Sequence, residues 1–199
     1  MKIIKYQKKK SNIYQIITSK GTYDLYDDII IKYELLLKNE IGDKEFSKII
    51  LENNMLKAYY ESLKLISTRL KTSKEIQEYL IKKGYEKTEI NYALKKLKEN
   101  NYLNSKVYIE AYIHDMLNFH LVGEQQILIN LQKLGFKEIE IKPFLNKIDQ
   151  NIYQEKINKY LTKKLKSNKK SANEFKRKML NELLTKGFNK SDIEKSLAN

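Results

Sequence analysis

The sequence has no cysteine, a single proline and only six glycines among its 199 residues. Without cysteine, disulfides, thiolate metal ligands and cysteine nucleophiles are excluded, and a reducing compartment is permitted. No run approaches the roughly 20 apolar residues of a membrane-spanning helix, and the lysine-rich start lacks the apolar stretch of a signal peptide. We therefore expect a cytoplasmic protein that does not associate with a membrane.

Motifs of catalysis are also missing. There is no glycine-rich loop to cradle phosphates, no GxSxG or HExxH and no paired-carboxylate motif. The two histidines, His114 and His120, are six residues apart, so they do not share a helix face as metal ligands four apart would. We expect no catalytic residue, no metal site and no cofactor, and hence a protein that is not an enzyme.

Basic residues outnumber acidic ones by 39 to 25, a net charge of +14. An excess of this size on a small protein favours association with polyanions or with acidic protein surfaces. The sequence is also rich in Lys, Asn, Ile and Tyr, which is typical of an AT-rich genome and would raise the lysine count independently of function. Hydrophobic residues at 41% and charged residues at 32% indicate a folded chain.

Three of the six glycines occupy one position of a repeated pattern. Gly84, Gly135 and Gly187 each follow apolar residues four apart and precede an aromatic residue and a second apolar pair, at spacings of 51 and 52 residues. Apolar residues four apart mark a helix face, and the glycine is predicted to be a structural C-cap. Amphipathic stretches upstream, 58–70 and 108–121, complete three predicted helices per copy.

The middle helix of each copy has its own start signal. Thr72 and Glu75 predict a capping box in the first copy. Gly123 stands at the matching place in the second copy and predicts a weaker cap. Ser171 and Glu174 predict a cap about one turn earlier in the third copy.

The first 54 residues lack the repeat. Apolar and polar residues alternate over 13–18 and 22–26, with a turn at Lys20–Gly21, which predicts a small antiparallel hairpin or three-stranded sheet. The pattern becomes helical from Asp27, and a further helix is predicted to start near Lys44. The predicted fold is mainly α, with this β and α segment followed by three tandem three-helix repeats, divided as 1–54, 55–106, 107–150 and 151–199.

Charge separates these segments. They carry net charges of +2, +6, −2 and +8 in chain order, so a polyanion-binding surface is expected on the first and third repeats. Lys176, Arg177 and Lys178 cannot all face one way on a helix, so only some of them would bind. The alternative is a solvated helix face in a lysine-rich proteome. The candidate binding residues are Arg69, Lys71, Lys74, Lys82, Lys83, Lys163, Lys164, Lys166, Lys169, Lys170, Lys176, Arg177 and Lys178.

The sequence resembles a known family, the RecX regulatory proteins. The first repeat is similar through Arg69, Ser73, Glu75, Ile76, Leu80, Lys83, Gly84 and Tyr85, then Ile90, Leu94, Leu97 and Asn101-Tyr102-Leu103. The segment before it, with Leu25-Tyr26-Asp27-Asp28 and Lys32-Tyr33-Glu34-Leu35, is similar to the extra N-terminal domain of longer members. Two departures stand out: the middle repeat is poor in basic residues, and the third has an insertion-like basic stretch, 163–170.

The resemblance implies an elongated, curved helical array that lies in the groove of a RecA–single-stranded DNA filament. It implies a protein that binds RecA and its filaments, hinders filament extension or promotes filament disassembly, and so reduces ATPase, recombinase and co-protease activity in DNA repair and the SOS response. We also expect a monomer that binds bare single- or double-stranded DNA weakly. Successive repeats would span neighbouring RecA protomers, with basic side chains on acidic protein surface or DNA phosphates.

Two other interpretations stay open at this point. Tandem helix-turn-helix-like units with basic charge are also typical of DNA-binding regulators that act without RecA. A scaffold whose lysine content reflects only genome composition would bind neither RecA nor DNA.

Overall fold

The structure of the chain, a computed structural model, describes residues 1–10, 12–169 and 171–198. Over these residues it is mainly α-helical with one small sheet, as the sequence predicts. The strands are β1 (Ile3–Lys10), β2 (Ile13–Thr18) and β3 (Gly21–Tyr26). The helices are α1 (Asp27–Lys32), α2 (Asp43–Ile66), α3 (Ser73–Lys82), α4 (Lys87–Glu99), α5 (Ser105–Phe119), α6 (Glu124–Lys133), α7 (Glu138–Leu145), α8 (Gln150–Leu165), α9 (Ala172–Thr185) and α10 (Lys190–Ala198).

The N-terminal sheet is antiparallel, in the order β1-β2-β3. Ile16 of β2 faces Tyr6 of β1 and Tyr23 of β3 in the register of the sheet. Ile16 and Leu25 are buried in a cluster with residues of α1 and the first half of α2, including Ile49. Of the two predicted forms, a hairpin or three strands, the structure has three because β1 pairs along β2.

The second helix is longer than the sequence indicates. Its first residue is Asp43, one before the predicted start at Lys44, and it continues to Ile66 through the stretch that was predicted as a separate helix over 58–70. Because residues 43–66 contain no proline or glycine, the helical backbone hydrogen bonding continues without a break. The predicted boundary between residues 54 and 55 therefore lies inside one helix, and the four-segment division stays a prediction.

A buried amide on this helix ties it to the sheet. The side chain of Asn53 accepts a hydrogen bond from the amide of Tyr26 at 2.9 Å and donates one to the carbonyl of Asp24 at 3.1 Å. Asn53 is 6% exposed, so both polar ends of its carboxamide are satisfied away from water. The second half of α2 supplies Ala58 to a different core, which it forms with α3 and α4.

The repeated glycines end α3, α6 and α9 in one way. Gly84, Gly135 and Gly187 have φ of 82°, 99° and 81°, the left-handed region that glycine adopts without strain. In the first copy, the Gly84 amide donates to the carbonyl of Ile81 at 2.9 Å, and the Tyr85 amide donates to that of Leu80 at 3.1 Å. The other two copies repeat both bonds, so each helix ends in a Schellman motif.

The helix starts also follow the sequence signals. Thr72 accepts from the amide of Glu75 at 3.1 Å, and the Glu75 carboxylate accepts from the amide of Thr72 at 2.9 Å, which completes the predicted capping box. Ser171 and Glu174 form another, so α9 begins a turn early as predicted. Gly123 makes no side-chain cap for α6, which confirms the weaker cap predicted there.

The chain forms two compact units, Met1–Leu103 and Asn104–Asn199. Within the second unit, the predicted second and third repeats share one hydrophobic core. Residues from both contribute to it, among them Ile109 and Leu131 on one side and Ile157 and Leu183 on the other. These six helices therefore pack as a single body, which the repeat pattern alone does not indicate.

Backbone groups join the two triplets of this body. The amide of Gly123, at the start of α6, donates to the carbonyl of Lys186 at 2.8 Å, and the amide of Gln125 donates to that of Gly187 at 3.2 Å. The C-terminal end of α9 thus supplies the acceptors that a side-chain cap would otherwise provide. A Cβ at position 123 would lie 2.2 Å from the Gly187 carbonyl oxygen, so only glycine fits this contact.

A lysine makes a second link between the triplets. The ammonium of Lys156 in α8 donates to the carbonyl of His120 at 2.6 Å and of Met116 at 3.4 Å, at the C-terminal end of α5. A cation at this end opposes the negative pole of the helix dipole. Burial lowers the pKa of Lys156, which marks it as a structural lysine rather than a solvated one.

Candidate functional site

The basic candidates of the first unit lie at the two ends of α3. Arg69 and Lys71 precede the helix, Lys74 lies in its first turn, and Lys82 and Lys83 end it. All except the half-buried Lys71 are exposed. The last turn of α3 therefore carries two cations that favour its C-terminal dipole as well as any external anion.

Arg69 already has a protein partner. Its guanidinium donates to the Glu75 carboxylate at 2.5 Å and to the Leu70 carbonyl at 3.1 Å. Burial raises the pKa of Glu75, but the amide of Thr72 and the Arg69 guanidinium outweigh it and lower the pKa overall. Because Glu75 also completes the capping box, Arg69 supports the start of α3, and its charge is partly neutralised there.

Lys83 has a different local contact, since its ammonium lies 5.6 Å from the centre of the Tyr79 ring. A cation over an aromatic face is attracted to the ring but keeps its charge. Lys82 beside it makes no ion pair among the residues that the structure describes. Lys82 and Lys83 thus remain available for an anion at this end of the helix.

The candidates of the third repeat begin at the C-terminal end of α8. Lys163, Lys166 and Lys169 are exposed. Lys164 is half-buried, with its ammonium 5.2 Å from the Tyr160 ring centre and 3.9 Å from the Glu182 carboxylate. The Tyr160 hydroxyl and the Glu182 charge raise the pKa of Lys164. This lysine is therefore protonated, and its charge already interacts with groups of the protein. Lys170 lies outside the described residues.

The candidates on α9 spread around the helix. Phe175, Met179 and Leu183 form its buried face, so the exposed Lys176, Arg177 and Lys178 point in three directions, as the sequence predicts.

Lys176 lies beside the end of α8. It lines a cavity of about 660 Å³ together with Thr162, Leu165 and Asn168. The structure therefore brings Lys176 to the same end of this unit as the basic C-terminal turn of α8. Arg177 and Lys178 point elsewhere.

Neither a metal centre nor a bilayer span is found among the described residues. His114 hydrogen-bonds with Asn118 at 2.9 Å, while His120 follows the end of α5. No cluster of three or more His, Asp or Glu side chains in the described part of the chain is placed to hold a metal ion. No helix among these residues has both the length and the apolar character needed to cross a membrane.

β1 is a basic strand that the net charge of its segment conceals. Residues 2–10 contain five lysines and no acidic residue, but the acidic residues farther along reduce the net charge of residues 1–54 to +2. Lys5, Lys8, Lys9 and Lys10 lie on β1 and are exposed. A charge count over a ten-residue window would have found them.

Comparisons of the sequence and of the structure with known proteins both find RecX proteins as similar. The family model described as "RecX, first three-helix domain" matches residues 58–97. Regulatory protein RecX of Clostridium tetani is 28% identical over 201 residues, covering 99% of this chain and 91% of the relative. That of Bacillus cytotoxicus is 27% identical over 197 residues, covering 96% and 73%. A crystal structure of a regulatory protein RecX aligns with a TM-score of 0.86 at 23% identity, covering 100% of this chain and 99% of that one.

Proposed function

The chain belongs to the RecX family, and from this premise we propose that it binds RecA and RecA–single-stranded DNA filaments and limits their growth. The names of its relatives support a regulatory role. In the proposal it acts as a monomer in the cytoplasm, reduces the ATPase and recombinase activity of RecA in DNA repair and the SOS response, and binds bare DNA weakly. Its three-helix repeats span neighbouring RecA protomers.

Exposed basic side chains carry the mechanism. The first and third predicted repeats have net charges of +6 and +8, and acidic protein surface or DNA phosphate is the complementary partner. The contacts are steric and electrostatic, so no bond is made or broken. Salt weakens such contacts because exposed charges are screened.

The structure supports a ranking of the candidate residues. Arg69 forms an ion pair with Glu75, and Lys164 lies close to Glu182, so nearby carboxylates partly neutralise both charges. Other exposed candidates have no carboxylate partner among the described residues: Lys82, Lys163, Lys166, Lys169 and Lys176. We propose that Lys82, Lys163, Lys166, Lys169 and Lys176 contribute more to binding than Arg69 and Lys164.

Single-stranded-DNA-dependent ATP hydrolysis by RecA of the same organism tests the proposal. The full chain is expected to inhibit hydrolysis at substoichiometric amounts, and higher salt is expected to weaken the inhibition. The triple variant K163E/K166E/K169E should lose most of the inhibition. The control K44E/K48E/K98E makes the same charge change at exposed sites on α2 and α4 and should retain it.

Each other outcome points to a different reading. Full inhibition by K163E/K166E/K169E would remove the electrostatic contact at the α8 end. No effect of the wild-type chain at saturation would refute RecA inhibition. In that case, sequence-selective binding to duplex DNA in the absence of RecA would identify a DNA-binding regulator.

A further inference from the structure

β1 lies at the edge of the sheet, and β2 is its only strand neighbour in the part of the chain that the structure describes. Residues 39–41, which lie between α1 and α2, already pair with the start of its other edge. The Ile3 amide donates to the Asn39 carbonyl at 2.8 Å, and the Ile41 amide donates to the Met1 carbonyl at 2.9 Å. Lys2 and Glu40 form an antiparallel bridge between these bonds. The start of this edge therefore already forms backbone hydrogen bonds with another segment of the chain.

The remainder of the same edge is open. From Lys5 to Lys10, no other strand lies beside the outer edge of β1 in the part of the chain that the structure describes. Apart from the half-buried Tyr6, these residues are exposed. An edge strand presents backbone N–H and C=O groups that another extended chain can pair with. Ile4, 67% exposed beside this stretch, adds an apolar contact.

Lysines flank the open edge on both faces of the sheet. Lys5 is opposite Ile17 and Lys8 opposite Tyr14 in the register with β2, an odd separation that places them on opposite faces. The ammonium of Lys8 is 5.8 Å from the Tyr14 ring centre. Lys9 pairs with Asp24 at 3.1 Å, whereas Lys5, Lys8 and Lys10 have no carboxylate partner among the described residues.

We propose that the outer edge of β1 from Lys5 to Lys10 binds an extended acidic peptide segment of a partner protein as an added strand. Backbone pairing provides the geometry, and the lysines select a segment with several carboxylates. Because lysines lie on both faces, adjacent acidic residues fit as well as alternating ones. A second copy of this chain does not fit, since its own edge would bring like charges together.

This surface shares no residue with the basic candidates of the proposed function. It lies on the N-terminal sheet, and its occupant is recognised through backbone pairing as well as charge. Nucleic acid lacks the peptide groups that pair with a strand edge, so the open edge favours a peptide. Peptide binding at this edge is therefore tested independently of any effect on RecA.

Binding of a labelled acidic peptide to the full chain tests the proposal. The probe is a fluorescein-labelled peptide of about ten residues in which Glu and Asp surround Val and Thr, followed by fluorescence anisotropy. Amide chemical shifts of ¹⁵N-labelled protein identify the residues contacted. Binding is expected to perturb the amides of residues 4–10 and to leave those of α2 to α4 largely unchanged.

Three variants separate backbone pairing from charge. K5Q/K8Q/K10Q should weaken binding roughly tenfold, since exposed ion pairs are individually weak. K44Q/K48Q/K98Q removes the same charge from helices of the same unit and should bind like the wild type. The peptide with alternate backbone N-methyl groups keeps every carboxylate but loses donors on one edge, and it too should bind roughly tenfold more weakly.

The contrary results are equally defined. Equal affinity for the N-methylated peptide would show that charge alone holds it and would overturn strand addition. No peptide binding would mean that the lysines only protect the edge from self-association. Loss of affinity for a single-stranded oligonucleotide in K5Q/K8Q/K10Q, without peptide binding, would reassign the surface to nucleic acid.

Discussion

Replacing Gly123 with alanine should separate the two helix triplets of the second unit. The added Cβ would lie 2.2 Å from the Gly187 carbonyl oxygen and 2.3 Å from the Phe188 amide nitrogen. Ordinary contact begins near 3.4 Å, so α6 and α9 must move apart by about 1 Å, which is a large shift for a packed core. Such a shift breaks the bonds from Gly123 to Lys186 and from Gln125 to Gly187.

The expected cost follows from those losses. Two backbone hydrogen bonds contribute about 1 kcal/mol each, and the strained core adds about 1 kcal/mol or more. The free energy of unfolding of the second unit should fall by about 3 kcal/mol, which lowers the Tm of a unit of this size by roughly 15 °C. Calorimetry of the full chain measures the transition, and hydrogen exchange assigns it to α6 and α9.

Matched glycines supply the controls. Gly42 is also a helix N-cap, but a Cβ there meets no atom within 4 Å, so Gly42→Ala reports only the change of capping residue. Gly187 and Gly84 have φ of 81° and 82°, yet only at Gly187 would a Cβ clash, 2.3 Å from the Gln126 amide nitrogen. Gly187→Ala should therefore cost more than Gly84→Ala. Equal losses within both pairs would refute the close backbone contact.

Three further predictions concern the first unit. Thr72→Ala removes the hydroxyl of the capping box and should lower the free energy of unfolding in urea by about 1 kcal/mol, whereas Thr72→Ser should stay near wild type. Asn53→Ala leaves the Tyr26 amide and the Asp24 carbonyl unpaired. It should lower the free energy of unfolding by about 2 kcal/mol in the same assay, and the control Asn54→Ala should lower it less. A similar loss of stability in both variants would contradict the role given to Asn53. Burial raises the pKa of Tyr85 to about 12 from an ordinary 10. Its neutral phenol is therefore favoured by the fold, and stability present below pH 10 should be lost as pH rises from 10 to 12. Thermal melts should show a shallower alkaline loss in Tyr85→Phe, and an unchanged slope would contradict this.

Local sequence signals predicted local structure well. The Schellman ends at Gly84, Gly135 and Gly187 depend on bonds that reach at most five residues back, and the box at Thr72 spans three. Patterns of this range are visible in the sequence because the interacting groups are close along the chain. The start of α9 at Ala172 was predicted for the same reason.

Electrostatic roles were harder to predict from composition. Arg69 was a candidate for external binding, yet it contacts Glu75 at 2.5 Å. Lys164 lies between Tyr160 and Glu182, which is 18 residues away in sequence. The availability of a charge depends on which carboxylates the fold brings near it, and charge counts do not contain that information. The basic strand β1 was missed because the segment sum averaged over it.

The sequence by itself determined the helix triplets, their glycine ends, most of their starts and a mainly α fold with a small β segment. Only the tertiary structure decided that α2 runs unbroken from the sheet into the first triplet, and that the later triplets share one core. It also decided that the carbonyls just after α9 cap α6, and that no strand among the described residues pairs with the outer edge of β1 from Lys5 to Lys10. The physical reason is range: caps and periodicity act within a few residues, whereas shared cores and strand edges depend on packing between distant segments.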